Sequence, residues 1–288
     1  MSFQLDSYLR DQSARVERLL EQALARVAVD AAPKLRQAMA YALLGGGKRL
    51  RPILVIASSS ALGREPNAAE LDFACALEMI HAYSLIHDDL PCMDDDDLRR
   101  GKPTVHKAFG EALAVLAGDA LLTDAFALAA GGSESARAKL CLELATAAGS
   151  RGMVSGQVDD IDGKSASMAE LQRVHARKTG ALIRVACRGP ALESDALPKL
   201  TTYGEQLGIA FQIADDILDA TGDAKATGKA TGKDAEKGRV GYPQLLGLDG
   251  AHRAANEAAE AATAALAGLP GDKAALEALA RYTVSRDR

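Results

Sequence analysis

Two observations about its residues predict that the sequence folds into an all-α protein, and one about its organisation predicts a single domain. Ala and Leu, which favour helices, are frequent along the 288 residues of the chain. The alternation of apolar and polar residues that marks half-buried strands is nearly absent. No linker rich in Pro, Gly or Ser divides the chain, so we predict a single domain over residues 1–288.

Start and stop signals divide this sequence into successive predicted helices. Asn67 and Ser167 each stand three residues before a Glu, which is the capping pattern of a helix start. Glycines at 45–47 and 131–132 mark helix ends. The predicted helices span residues 2–28, 34–44, 52–62, 67–89, 104–130, 134–149, 167–187, 195–221, 242–268 and 272–286.

Composition argues against several classes of protein. A net charge of −5 and an aromatic content of 4%, without Trp, are not typical of a nucleic-acid-binding surface. The four scattered cysteines fit reduced thiols better than a disulfide framework. Residues 1–10 lack the basic head and apolar run of a signal peptide, and Asp119 and Asp124 interrupt the apolar segment 112–130. We therefore predict a cytoplasmic protein without membrane insertion.

Two predicted helices carry polar stripes within apolar sequence. In helix 67–89 the stripe consists of His81, Ser84 and Asp88, which share one helical face. In helix 195–221 it consists of Gly204, Gly208, Gln212, Asp215 and Asp219. Small and polar residues on a buried helix indicate that the face lines a cavity, with a solvated face as the alternative. His81 alone could also be a satisfied core histidine.

Each stripe ends in a cluster of aspartates, one in residues 87–97 and the other in residues 211–219. Carboxylates are rarely buried without compensation, and Mg²⁺ in proteins is commonly held by carboxylates together with substrate phosphates. The two clusters therefore predict a cavity that grips a diphosphate through Mg²⁺. Pro91 should end the first helix near Asp89, and the bend there can turn Asp94 back toward Asp88.

Basic residues accompany the acidic ones. Arg99 and Arg100 follow the first cluster and suit bidentate phosphate binding, although they could simply neutralise the acidic loop. The turn GGGKRLRP at 45–52 fails the pattern of a P-loop, but three cations at the start of a helix still favour an anion. Glycines and lysines in 222–241 predict a loop, either solvated or a lid that brings Lys229 onto phosphate.

These residues resemble the trans-isoprenyl diphosphate synthases, most closely the bacterial farnesyl diphosphate synthases, nearly end to end. The resemblance is carried by GGGKRLRP at 45–52, HAYSLIHDDLPCMDDDDLRRGKPTVH at 81–106, GDAL at 118–121, KTG at 178–180, FQIADDILD at 211–219 and GKATGKD at 228–234. One departure is Arg239, with Val240 and Gly241 after it, where members of the family commonly have Lys-Ser/Thr-Thr. We leave the role of Arg239 open.

The resemblance implies an isoprenoid synthase-like bundle of ten or more helices around a central cavity, working as a homodimer. It implies two Mg²⁺ on Asp88 and Asp94 and a third on Asp215. The allylic diphosphate would be held by the metals with Arg99, Lys178 and Lys229. Isopentenyl diphosphate would bind Lys48, Arg51, His81 and Arg100. Thr179 and Gln212 would face the allylic carbons.

The implied reaction is head-to-tail condensation of isopentenyl diphosphate onto dimethylallyl and geranyl diphosphate, giving farnesyl diphosphate. Tyr83, five residues before Asp88, would act as the floor that stops the product at C15; ordinary core packing is the alternative. The nearest rival is a geranylgeranyl diphosphate synthase. A class I terpene cyclase and a non-catalytic partner subunit fit less well, because both aspartate clusters are intact and aromatic residues are few.

Overall fold

A computed structural model describes residues 3–163, 167–221 and 240–285 of the chain. These residues are helical nearly throughout, so the predicted all-α fold is confirmed. Numbered in chain order, the described helices are α1 Leu5–Val27, α2 Pro33–Leu43, α3 Leu50–Ala61, α4 Ala68–Asp88, α5 Val105–Phe109, α6 Glu111–Ala130, α7 Ala136–Ala148, α8 Met153–Ile161, α9 Met168–His175, α10 Ala181–Arg188, α11 Leu197–Thr221, α12 Tyr242–Ala265 and α13 Ala274–Ser285.

Contacts divide the chain into two compact units. The first, called the N-terminal unit here, consists of Asp6–Ile56 and Pro66–Leu142. The second, the C-terminal unit, consists of Met1–Leu5, Ala57–Glu65 and Glu143–Arg288. That the whole chain forms a single domain stays a prediction.

In the N-terminal unit, the apolar helix α4 is buried along most of its length. It begins with the predicted capping box, in which the Asn67 side chain accepts the Glu70 N–H at 2.9 Å and the Glu70 carboxylate accepts the Asn67 N–H at 3.1 Å. Helix α6 packs against α4 through buried residues such as Ala117 and Leu121. Among the described helices, α6 is the one with the length and apolar composition of a membrane span, a test that the core helix of a globular unit also passes.

In the C-terminal unit, α11 packs against α10, α12 and α13. The core beside it includes Ile213 and Ile217 of α11 together with Leu171 and Tyr242. The hydroxyl of Tyr203 donates to the carbonyl oxygen of Leu276 at 2.8 Å and so ties α11 to α13. Burial of apolar side chains on both flanks of α11 positions the second aspartate cluster near its C-terminal end.

Glycines change two of the predicted helices. The predicted helix 104–130 is two helices, because Gly110 adopts φ 89° between α5 and α6. Helix α12 bends at Gly247, which has φ 70° and ψ 163°. Both positions need a backbone conformation that residues with a Cβ rarely adopt.

Other elements of the structure were not predicted. A π-helical turn, Ala176–Gly180, separates α9 from α10 within the predicted helix 167–187. Helix α8 lies in residues 150–166, for which no helix was predicted. Strands β1 (Leu98–Arg99) and β2 (Lys102–Pro103) form an antiparallel hairpin directly after the first aspartate cluster.

Candidate functional site

The first aspartate cluster begins where α4 ends. Its loop folds back on the helix, since the backbone N–H of Asp94 donates to the carbonyl oxygen of Asp88 at 2.8 Å. The N–H groups of Met93 and Asp95 donate to the carbonyl oxygen of Leu90 at 2.9 and 3.1 Å and close the turn. The predicted return of the chain after Pro91 is therefore confirmed. Asp88 and Asp94 lie together, and both are partly exposed.

Asp89 has a different environment from Asp88. It is buried. Arg99 donates hydrogen bonds to it, from Nε to both carboxylate oxygens at 2.9 Å and from Nη2 to Oδ1 at 2.6 Å. Burial opposes the charged guanidinium, but the hydrogen bonds and charge of Asp89 outweigh it and hold the pKa of Arg99 above its ordinary value. In this structure Arg99 neutralises an aspartate of the acidic loop, in agreement with the alternative role predicted for it.

The hairpin carries Arg100 onto the glycine-rich turn at 45–47. Arg100 has φ 53°, and its Nη1 donates to the carbonyl oxygen of Gly46. A Cβ at Gly47 would lie 2.8 Å from the guanidinium nitrogens of Arg100, so a glycine is needed for this approach. The two basic motifs of the sequence, 45–52 and 99–100, are thus parts of one surface.

His81 lies among arginines. Burial lowers its pKa well below the ordinary value, and the positive charges of Arg51, Arg100, Arg99 and Arg49 lower it further. His81 is therefore neutral at pH 7. Three of the four residues predicted to bind isopentenyl diphosphate, Arg51, His81 and Arg100, are brought together here. The fourth, Lys48, is an exposed residue of the adjoining turn.

Tyr83 is buried one turn before the end of α4. Its ring meets that of His87 edge to face, with centroids 5.7 Å apart. Burial and the charge of Asp88 raise the pKa of Tyr83 to about 12. His87 packs against α6, where its Nε2 is 3.1 Å from the carbonyl oxygen of Val115. A Cβ at Gly118 would lie 2.1 Å from the same Nε2 atom. Gly118 of the GDAL motif therefore makes room for the histidine that supports Tyr83.

A group of possible metal ligands lies at the hairpin. Asp95, Asp97 and His106 each offer one ligand atom, and these atoms lie within 4.8 Å of one another. Asp97 also pairs with Lys107 at 2.8 Å. The structure thus contains an Asp-rich group able to hold a metal ion. Its members differ from the predicted ligands Asp88, Asp94 and Asp215, whose metal binding stays a prediction.

The second aspartate cluster lies on α11 in the C-terminal unit. The amide Nε2 of Gln212 is 3.4 Å from Oδ2 of Asp215, and both residues are partly exposed. Asp216 instead ties α11 to the start of α12, because its Oδ2 accepts the backbone N–H of Tyr242 at 2.9 Å. Nε2 of His175 lies 3.8 Å from Oδ1 of the same carboxylate.

The stripe predicted on this helix divides into two parts. A Cβ at Gly204 would lie 2.7 Å from Cα of Arg184, and one at Gly208 would lie 3.1 Å from Cα of Gly180. These two glycines allow close packing against α10 and the π-helical turn. They do not line a cavity as the stripe predicted; Gln212, Asp215 and Asp219 are the partly exposed members.

Lys178 and Thr179 lie in the π-helical turn. Nζ of Lys178 pairs with Oδ2 of Asp160 in α8 at 2.6 Å. Helix α8 comes close enough for this pair because a Cβ at Gly156 would lie 2.2 Å from the backbone nitrogen of Lys178. The sequence did not predict Asp160 as the partner of Lys178, and its one local signal is the adjacent acidic pair 159–160.

The predicted residues fall into three groups by position. Those of the first aspartate cluster and the basic turn belong to the N-terminal unit. Lys178, Thr179, Gln212 and Asp215 belong to the C-terminal unit. Lys229, Arg239 and most of the predicted lid at 222–241 lie outside the described residues.

Comparison with known proteins gives a family match along most of the chain. The model of the polyprenyl synthetase family matches residues 32–278. A farnesyl diphosphate synthase of Geobacillus stearothermophilus is 44% identical over 294 residues, covering 98% of each chain. A chloroplastic geranylgeranyl pyrophosphate synthase of Catharanthus roseus is 43% identical, covering 99% of this chain and 82% of its own.

A solved structure gives the same result for the fold. The crystal structure of an FPP/GFPP synthase from Zymomonas mobilis superposes with a TM-score of 0.84 at 37% identity. The match covers 97% of this chain and 99% of that one. Sequence and fold thus agree over nearly the whole chain.

Proposed function

The chain belongs to the polyprenyl synthetase family, and from this premise we propose that it is a farnesyl diphosphate synthase. It is a prenyltransferase that condenses isopentenyl diphosphate head to tail with dimethylallyl diphosphate and then with geranyl diphosphate. The observation that carries the proposal is the pairing of Asp94 with Asp88 beside the basic turn, in a chain 44% identical to a farnesyl diphosphate synthase over 98% of its length.

Asp88, Asp94 and Asp215 are proposed to hold Mg²⁺, with three ions per active site. The donor chemistry fits, since Mg²⁺ takes oxygen ligands and keeps positions for water and phosphate. The three carboxylates are partly exposed, whereas Asp89 is buried against Arg99 and is not proposed as a ligand. When bound, the metal supplies positive charge that stabilises the departing diphosphate.

Lys178, Lys229 and Arg99 are proposed to bind the allylic diphosphate. Lys178 would exchange Asp160 for a phosphate oxygen, a change within reach of a flexible lysine side chain. Arg99 would bind phosphate with its guanidinium while Asp89 holds it in place. Both cations stabilise the charge that develops on the leaving group. The 222–241 segment is proposed as a lid that brings Lys229 to the same diphosphate and excludes water.

Thr179 and Gln212 are proposed to face the allylic carbons. Because Nε2 of Gln212 is directed toward Asp215, its amide oxygen is directed away from that carboxylate. An oriented amide or hydroxyl oxygen stabilises an adjacent positive charge by its dipole without forming a bond. The two residues would therefore favour ionisation of the allylic substrate without capturing the cation.

Lys48, Arg51, His81 and Arg100 are proposed to bind the diphosphate of isopentenyl diphosphate. Neutral His81 can donate one hydrogen bond to an oxygen, and the cations around it supply the charge. This arrangement holds the double bond of the second substrate for attack on the allylic cation. The proton lost afterwards is proposed to go to the released diphosphate.

Tyr83 is proposed as the floor that limits the product to C15. It is buried and held by His87, so a growing chain that reaches it meets a fixed ring. The second candidate function is geranylgeranyl diphosphate synthesis, which the 43% identity to the Catharanthus roseus synthase favours. Analysis of product chain length distinguishes the two functions.

We further propose a homodimer in the cytoplasm, without membrane insertion. Large apolar side chains are exposed on α6 and α8, among them Leu116 and Val158, each 55% exposed. Burying them against a second copy would remove apolar surface from water. Sedimentation equilibrium at micromolar concentration tests this assembly; a monomer at every concentration would contradict it.

A further inference from the structure

Arg49 stands in the middle of the basic turn, but its side chain points into the protein. The side chain is 2% exposed, whereas Lys48 beside it is exposed. Nε donates to Oε1 of Glu17 at 2.7 Å and Nη1 to Oε1 of Glu78 at 2.8 Å. Nη2 donates to the carbonyl oxygen of Leu43 at 2.8 Å. A guanidinium engaged in this way does not reach a phosphate.

The three acceptors belong to three different helices. Glu17 lies in α1, Leu43 is the last residue of α2, and Glu78 lies in α4. The backbone of Arg49 also opens α3, because its carbonyl oxygen accepts the N–H of Ile53 at 3.1 Å. Since a guanidinium is planar and its donors point in fixed directions, these bonds set the start of α3 against α1, α2 and α4.

The backbone at Arg49 is in a conformation that needs such support. Its φ is 49°, in the left-handed region that residues other than glycine rarely adopt. A residue persists there when the surrounding contacts determine its position. Glu78 in turn depends on Arg49, because this carboxylate is 4% exposed and its Oε2 has no hydrogen-bond partner among the described residues.

We propose that Arg49 is a positioning residue for the isopentenyl diphosphate site. It does not touch substrate; its buried ion pairs with Glu17 and Glu78 hold Lys48 and Arg51 where they bind the diphosphate. Lys48 precedes Arg49 directly, and Arg51 follows on the first turn of α3, so a shift of Arg49 moves both cations. This role rests on the proposed function, because it requires that Lys48 and Arg51 bind that substrate.

The test is steady-state kinetics of the full-length Arg49→Lys variant. A lysine keeps the charge but cannot reach three acceptors on three helices. We expect KM for isopentenyl diphosphate to rise at least ~10-fold, as displaced binding groups cause, with kcat and KM for geranyl diphosphate near wild-type values. A purely structural role would lower the active fraction of enzyme and would not change one KM alone.

The chain offers a matched control in Arg137→Lys. Arg137 is also a buried arginine of the N-terminal unit, with Nη1 3.0 Å from Asp72, Nε 2.5 Å from Glu134 and Nη1 3.5 Å from the carbonyl oxygen of Leu128. The same exchange there should leave KM for isopentenyl diphosphate unchanged. A rise equal to that of Arg49→Lys would overturn the proposal.

A second variant distinguishes loss of positioning from loss of the fold. Arg49→Met combined with Glu78→Leu removes both charges, and replacing both members of a buried ion pair by apolar residues of similar volume is commonly well tolerated. Circular dichroism should show the wild-type helical fold, and KM for isopentenyl diphosphate should again rise; an unchanged KM in this folded variant would contradict the role of Arg49.

Lys48→Ala and Arg51→Ala separate this inference from the proposed function. If neither raises KM for isopentenyl diphosphate, the proposed substrate site is wrong and the role of Arg49 falls with it. If both raise it and Arg49→Lys does not, the site stands and the positioning role alone is overturned.

Discussion

The backbone N–H of Asp94 donates to the carbonyl oxygen of Asp88 across 2.8 Å. This bond uses a carbonyl at the end of α4 that has no partner within the helix. It also brings together two aspartates on opposite sides of Pro91, as the proposed metal site requires. The loop and the helix end form one fixed unit, to which Arg99 is tied through Asp89.

Loss of a proposed metal-binding aspartate from either aspartate cluster should remove most of the turnover. We expect Asp88→Ala and Asp215→Ala each to lower kcat by at least ~100-fold, because metal stabilisation of the leaving group is worth several kcal/mol. Initial rates measured across a Mg²⁺ titration check this. Asp30→Ala, at an exposed aspartate remote in sequence from both clusters, serves as the control. Near-normal turnover in either site variant would contradict the metal assignment.

The two diphosphate sites should separate kinetically. Lys48→Ala, Arg51→Ala and His81→Ala should raise KM for isopentenyl diphosphate more than KM for the allylic substrate. Lys229→Ala should do the reverse or lower kcat, because it is proposed to bind the leaving group. Each substrate is varied in turn at saturation of the other, with Lys34→Ala as the exposed control. Equal effects on both constants would mean that the sites are merged or exchanged.

Tyr83 should determine product length. In Tyr83→Ala the floor is removed, and products of C20 or longer should appear while the helical fold persists. Tyr83→Phe keeps the ring against His87 and should still stop at C15. Radiolabelled products separated by chain length check both variants. A C15 product from Tyr83→Ala would show that Tyr83 is not the floor.

His81 should make stability depend on pH. Its pKa in the folded protein lies well below the ordinary value of 6.5, so the unfolded chain binds a proton that the folded chain does not. Stability should therefore fall as pH falls below 6.5, with a slope of up to ~1.4 kcal/mol per pH unit from this group. Urea unfolding of wild type and His81→Gln between pH 7 and 5 checks this; equal pH dependence in both would contradict it.

Most of the helices could be predicted because their signals are local. The capping residues at Asn67 and Glu70 and the apolar sequence that follows are sufficient to place α4. Helix α8 could not be placed, since Gly152 and Gly156 within or beside it favour a break. The reason for Gly156 is tertiary: the backbone of Lys178 passes too close for a Cβ. A single sequence does not show that two backbone segments distant along the chain, at Gly156 and Lys178, lie this close together.

The candidate site was predicted in its residue types but not in its pairings. Spacing identifies the face of a helix on which a charge lies, and it does not identify the partner of that charge. Three observed pairs join residues that lie apart along the chain: Arg49 with Glu78, Arg99 with Asp89, and Lys178 with Asp160. The bend at Pro91 could be predicted because proline restricts the residue before it.

The most direct test is to determine what the purified protein makes from labelled isopentenyl diphosphate and Mg²⁺ with a C5 or a C10 allylic primer. We expect farnesyl diphosphate as the end product from both primers, with no product when Mg²⁺ is removed by a chelator. A C20 end product would contradict the C15 assignment. If folded protein gave no condensation product from either primer, the chain would not be a prenyltransferase.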